Sequence, residues 1–444
     1  MAVPIVIIHG WSDNYKSFER LADYLRKNLN TIVTTIDLAD WVSMDDEITY
    51  RDLRYAMETA WRNHAVLKGK KKINIVSHST GALVVRDWLT HYYTPDTTPI
   101  KRHIMLAPAN FGSQLAHKGK TWYGRAFKGF KHGFETGKFL LNGLELGSPY
   151  TWELAQRDLF SAKRWYGPDK IMAAVIVGNT GFGGVAAVVD EEGGDGTVRV
   201  STANLNAAIL TVDFTGDSGA PQLKFKNIPK ALQIAFGVAD GDSHSSVAFK
   251  AKDKSAIYQP SGPNTAKWIL KALRTAPASW GDFVEELKQS NEALYRNASE
   301  KNEYFHAYQN TVVRLSDDIG NPVEEFLVEF HRGRKSTFDV DFFGTVFQRR
   351  IIRGVHNYSG DSSYRSFYLD VTSQQEMKKN WLYLEIEALP EFKKKSSVGY
   401  QPLGRIRLDE NMLSKLFVPN RTLLVDVKVR RQVSDKAFRL IRHS

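Results

Sequence analysis

The chain of 444 residues has no cysteine. That excludes disulfides, thiolate nucleophiles and cysteine-based zinc sites. It fits a reducing compartment, or an exported protein that does not rely on disulfides. No run of about 18 apolar residues occurs either, so no transmembrane helix is expected. The start, MAVPIVIIHGW, has no basic n-region, and its short apolar run leads straight into a glycine turn. It reads as a first strand rather than a signal peptide. The expected location is cytoplasmic, or outside the cell by a route without a cleavable signal peptide. Internal repeats and long low-complexity segments are also missing.

The remaining composition is that of a soluble globular protein, 42% hydrophobic and 25% charged. The length suffices for two or three domains with real cores. Charge is unbalanced, with a net +11, and the excess is uneven. From Glu391 to Ser444, thirteen Lys or Arg stand against five Asp or Glu, a local +8. Such a face suits an anionic partner such as a membrane surface, and equally a plain solvated surface. No nucleic-acid motif accompanies it, so no nucleic-acid partner is expected.

Periodicity divides the chain. In the first part, apolar strand runs (Val3–Ile8, Thr31–Leu38, Ile73–Val76, His103–Leu106, Ile171–Val177, Ile209–Phe214) alternate with helical patterns at Tyr15–Leu29, Thr49–Leu67 and Ala82–Tyr92. That alternation predicts an α/β domain, a mostly parallel sheet with helices on both faces. A helix over Asn264–Leu273 closes it, giving a first domain of residues 1–275. Residues 276–309 read as a helical connector, with a helix at Phe283–Tyr295. Beyond Asn310 the pattern turns to short alternating strands (Thr311–Leu315, Phe326–Phe330, Trp381–Glu387, Leu423–Val429) separated by turn signals. A β-rich domain, an antiparallel sandwich, is expected over 310–444.

Within the first domain, residues 114–168 read as an insertion. From Ala116 to Phe139, Lys118, Lys120, Arg125, Lys128 and Lys131 interleave with Trp122, Tyr123, Phe127, Phe130 and Phe134, among five glycines. Aromatic and basic side chains with this much glycine suit a lid that meets a lipid interface. A packed surface helix with a solvated basic side is the alternative.

The chemistry centres on Ile73–Trp88. An apolar strand runs into Ser77-His78-Ser79-Thr80-Gly81 and then into a helical pattern, the layout of a nucleophile elbow. Ser79 sits at the head of the helix, where free N–H groups favour negative charge. The usual G-x-S-x-G has serine, still small, at its first position. Acyl transfer by serine also needs a base, an acid to orient it and two oxyanion donors. Asp195 lies in a glycine-rich acidic loop after one strand, and His244 in a loop after a later one. Rivals exist for each role. Asp190, Glu191 and Glu192 compete as the acid, and His103, His117 and His132 as the base. His78 adjoins the nucleophile and is expected to point elsewhere, and His9 to hold the turn by hydrogen bonds.

Together HGW (9–11), SHSTG (77–81), DGTV (195–198) and the loop Asp240–His244 resemble the α/β-hydrolase lipases, including bacterial lipases and the lecithin-acyltransferase-like group. The resemblance covers roughly residues 1–275. It implies an α/β-hydrolase fold with Ser79 as nucleophile, Asp195 as acid and His244 as base. The backbone N–H groups of Thr80 and Trp11 would form the oxyanion hole. It implies a serine-dependent lipase or phospholipase needing no cofactor, with a lipid or ester substrate. The lid and the basic C-terminal domain would meet an anionic membrane surface or a protein partner. Two alternatives share the motifs: a soluble esterase or thioesterase, and a binding protein on a silent hydrolase fold. Asp240 and Asp242 flank the base, where some lipases hold calcium. Turn formation explains them as well, and no metal is assigned.

Overall fold

The computed structural model describes residues 3–10, 15–38, 47–67, 72–116, 137–181, 191–216, 220–250, 264–296, 298, 303–332, 349–372, 382–389 and 398–433. Trp11, the insertion segment 117–136 with His117 and His132, and Asp190 lie outside the described residues. The chain divides into two compact units, 1–207 with 228–306, and 208–227 with 307–444.

In chain order the first eight strands are β1 (Ile5–Ile8), β2 (Val33–Ile36), β3 (Ile73–His78), β4 (Ile100–Leu106), β5 (Met172–Gly178), β6 (Ala208–Asp213), β7 (Gln222–Asn227) and β8 (Ala235–Ala239). Six of them form one sheet in the order β2-β1-β3-β4-β5-β8, with every neighbouring pair parallel. Its inner strands β1, β3 and β5 are buried along their whole length, and β4 at every residue but Lys101, as a sheet covered on both faces requires. That is why they read as continuous apolar runs. Helices α1 (Glu19–Leu29), α2 (Tyr50–Asn63) and α3 (Gly81–Tyr92) connect the early strands. A capping box between Thr49 and Asp52 starts α2. The first nine residues of α3 are all buried.

Two expectations change. The strand Ile209–Phe214, assigned from its pattern to the first domain, instead belongs with β7 to the second unit. Alternation identifies a strand but not its partner. The supposed connector is part of the first unit. The helix Trp280–Tyr295 buries Trp280, Phe283 and Leu287, and Trp280 Nε1 donates to the Gln233 carbonyl at 2.8 Å. Asn291 gives the edge strand β8 a substitute neighbour. Its Oδ1 accepts from the Val238 N–H at 2.8 Å and its Nδ2 donates to the Phe236 carbonyl at 2.9 Å. The side chain satisfies backbone groups that a sheet edge otherwise leaves open.

The second unit contains β9 (Tyr308–Asp317), β10 (Phe326–Arg332), β11 (Ile352–Asn357), β12 (Tyr364–Asp370), β13 (Leu382–Ala388), β14 (Val398–Tyr400), β15 (Ile406–Leu408), β16 (Thr422–Val429) and β17 (Arg431–Val433). One sheet runs β11-β12-β9-β16-β6-β7 and a second runs β10-β13-β15. Pairing is antiparallel except at β16, which runs parallel to both β9 and β6. Val313, Phe367 and Val425 of the first sheet share one apolar interior with Phe330, Leu384 and Leu408 of the second. Among the described residues no helix is long and apolar enough to cross a membrane.

If the helix Trp280–Tyr295 is integral to the first unit, Leu287→Ala should cost roughly 2–5 kcal/mol. Chemical denaturation followed by tryptophan fluorescence measures it, and a wild-type midpoint would show that the helix is only a connector.

Candidate active site

At the carboxyl end of β3 the chain turns into α3 through Ser79, which has φ +54. Serine rarely adopts this region, and its use between a strand and a helix is the strained geometry of a nucleophile elbow. The Ser79 N–H donates to the Leu106 carbonyl at 3.0 Å, fixing the turn against β4. Gly81 is required by space. A Cβ there would lie 2.6 Å from the His9 carbonyl oxygen and 2.8 Å from that of Ile8. Gly10 is nearly as tight, with its Cβ position 3.1 Å from Ser79 Cβ. Ser77 is accommodated because its hydroxyl is used. Its Oγ lies 2.8 Å from Nε2 of His103 on β4, both buried.

Asp195 occupies a tight turn closed by its own N–H donating to the Val198 carbonyl at 3.0 Å. Its Oδ1 accepts from the N–H groups of Thr197 at 2.9 Å and Val198 at 2.8 Å. Its Oδ2 lies 2.9 Å from His244 Nδ1. The carboxylate is fully buried and the imidazole nearly so, at 0% and 1% exposure. The backbone repeats the link, His244 N–H to Asp195 carbonyl at 3.0 Å. With Nδ1–H donated to the carboxylate, Nε2 is the basic nitrogen of His244. The residue before Ser79 touches this histidine. His78 Nε2 donates to the His244 carbonyl at 2.9 Å, and the two rings lie 4.7 Å apart. His78 therefore does not point away from the site as expected.

The rivals have other duties. Glu191 pairs with Arg199 at 2.8 Å. His9 Nε2 lies 2.8 Å from Asp37 Oδ1, anchoring the turn that leads to Trp11. Thr80, buried, is the residue before the first turn of α3. Asp242 accepts from Ser246 Oγ at 2.6 Å and from Thr265 Oγ1. Asp240 accepts from Tyr304 at 2.7 Å and from Asn179 at 3.0 Å. Among the described residues no group of three or more His, Asp or Glu has the arrangement of a metal site.

One supporting cluster was not anticipated. Arg86 of α3, fully buried, makes a bidentate pair with Asp158 at 2.8 and 3.0 Å and reaches Asn110 Oδ1 at 3.1 Å. Burial opposes its charge, but Asp158 more than compensates and raises its pKa. Asn110 Nδ2 donates to the Ala203 carbonyl at 2.7 Å, and Ser113 Oγ to that of Thr197 at 2.6 Å. Helix α3, the loop after β4 and the Asp195 loop are thus joined by polar bonds. An arginine inside the apolar run ALVVRDW was the available signal.

The model of the family described as palmitoyl protein thioesterase matches residues 4–171. Phospholipase PlaB from Legionella pneumophila superposes with a TM-score of 0.81 at 25% identity, over 99% of this chain and 96% of that one. The same protein in complex with thio-NAD gives 0.80 at 24% identity, with the same coverages. No curated protein matches the sequence. Fold, elbow and likeness define the class: the chain is an α/β-hydrolase. Within that superfamily it is a carboxylic ester hydrolase with an additional C-terminal β-rich region.

Two buried histidines are held uncharged. Burial, then Lys250 and His244, keep His78 well below the usual range. Burial and Arg86 push His103 down to about 3. Unfolding returns His103 to about 6.5, so between these values the unfolded chain binds the extra proton. Stability present above about pH 6.5 is therefore lost as pH falls, by about 1.4 kcal/mol per unit for His103. His103→Gln should flatten the stability slope between about pH 6 and 4 by roughly one proton. Parallel slopes in the two proteins would show that His103 does not take up a proton on unfolding.

Proposed function

We propose that this chain is a lipase or phospholipase in which Ser79 is the nucleophile, His244 the base and Asp195 the acid. The buried Asp195–His244 bond, held by two backbone N–H groups on the acid side, carries the reading. In the proposed cycle His244 Nε2 takes the proton of Ser79 as Oγ attacks the ester carbonyl carbon. Asp195 holds Nδ1–H and stabilises the imidazolium. The oxyanion receives the N–H groups of Thr80 and Trp11. Collapse breaks the ester bond, the alcohol leaves with the proton from His244, and the acyl group stays on Ser79. Water, deprotonated by His244, then attacks the acyl-enzyme and releases the acid.

A lipid substrate is supported by the likeness to a protein named phospholipase over nearly its whole length. It is supported also by the aromatic and basic composition of 116–139 and the excess of Lys and Arg after Glu391. These would bring the enzyme to an anionic bilayer. The match of residues 4–171 to a thioesterase model supports a second reading, a thioesterase with the same three residues.

Ser79→Ala should abolish hydrolysis of long-chain p-nitrophenyl esters and of phospholipid in anionic vesicles, by about 10⁴-fold or more. Asp195→Asn should lose on the order of 10⁴-fold with the fold intact. Released fatty acid is the readout. Cleavage of thioesters and short soluble esters alone would replace the lipid reading with the second one. Undiminished activity in Ser79→Ala would remove the mechanism.

A further inference from the structure

We infer that His78 is a positioning residue that seats the base His244; this rests on the Ser79, His244 and Asp195 assignment above. Three bonds among the described residues hold His244. Asp195 supplies two, to the ring Nδ1 at 2.9 Å and to the main-chain N–H at 3.0 Å. The third closes the other side of the same residue, where His78 Nε2–H donates to the main-chain carbonyl at 2.9 Å. A carbonyl only accepts, so Nε2 of His78 carries a proton. Among the described residues its buried Nδ1 has no hydrogen-bond partner.

The ring adds a contact that the hydrogen bond does not. It lies 4.7 Å from the His244 ring at an interplanar angle of 51°. Phe18 also lies 5.6 Å from the His78 ring, and Phe18 in turn stacks on His9 at 6.2 Å. All four residues are buried, from 0% exposure for Phe18 to 3% for His9. The row of rings runs from the turn before Trp11, through the residue next to the nucleophile, to the base. His244 must gain and lose a proton in each half-reaction without turning away from Ser79. The neighbouring His78 ring and the clamped carbonyl restrict that motion.

Charge also matters. Among the described residues, the titratable groups that act on His78 are Lys250, His244 and His9, and Lys250 lies over the Phe18 ring at 5.2 Å. A proton on His78 would set a second cation against the imidazolium of His244. Complete burial and these neighbours keep it off. The position after Ser77 thus asks for a donor long enough to reach the His244 carbonyl, on a flat uncharged ring.

The test compares His78→Phe, which keeps a ring without the donor, with His78→Gln, which keeps a donor without the ring. Ser79→Ala is run beside them to report on the triad assignment. Active sites are counted by complete labelling with a fluorophosphonate, so kcat is expressed per competent site. We expect His78→Phe to lose on the order of 10- to 100-fold in kcat with little change in KM. His78→Gln should recover a large part of that loss. The acidic limb of kcat/KM against pH should keep its midpoint in both, because His78 stays uncharged. Should His78→Phe not fold, His78→Asn, whose shorter amide falls short of the carbonyl, replaces it and should rank below His78→Gln. Wild-type kcat per labelled site in His78→Phe would reduce His78 to packing and overturn the inference. A displaced acidic limb would overturn it too, since His78 would then be titrating. Activity surviving in Ser79→Ala would instead dismiss the triad assignment.

Discussion

A carboxylate with no contact to water needs its hydrogen bonds from the protein, and Asp195 is in that position. One oxygen takes the N–H groups of Thr197 and Val198, and the other takes His244. If either supply failed, a buried charge would be left uncompensated, at a cost of several kcal/mol. Much of the first unit can be read as the means of keeping this pair in place. The Asp195 loop bonds to the loop after β4 through Ser113, and the His244 loop is held by Asp195 and His78. The Asp195 loop follows β5 and the His244 loop follows its neighbour in the sheet, β8.

Ser79 is placed by a different constraint, close packing of backbone. β1 and the start of α3 approach so closely that only glycine fits at 81. The positive φ of Ser79 follows from joining a fully buried strand to a fully buried helix start within two residues. Arg86 then ties that helix to Asp158 and Asn110 in the interior. Positioning in this site is therefore polar where loops meet and steric where regular elements meet. The polar bonds fix orientation, and the steric contact fixes distance.

The elbow was legible because its signals are local: an apolar run, a small-residue turn and a helical period in sequence. Asp195 and His244 were legible as loop residues after strands, although only the fold brings them within 2.9 Å. Partnership between distant segments was not legible. Ala208–Asp213 has the alternation of a strand in either unit, and nothing local directs it to β16. Trp280–Tyr295 has the period of any amphipathic helix, and Asn291 at a sheet edge looks like a solvated polar residue. His78 was misjudged because its neighbour in sequence, Ser79, said nothing of its neighbour in space. The contribution of Trp11 lies outside the described residues.

The most direct test of the central claim is to find where an acyl-enzyme mimic attaches. Wild type would be treated with a long-chain fluorophosphonate and its peptides mapped by mass spectrometry. A single adduct on Ser79, formed far more slowly in His244→Ala, is the result the account predicts. An adduct on another serine, or equally fast labelling of Ser79 without His244, would contradict it.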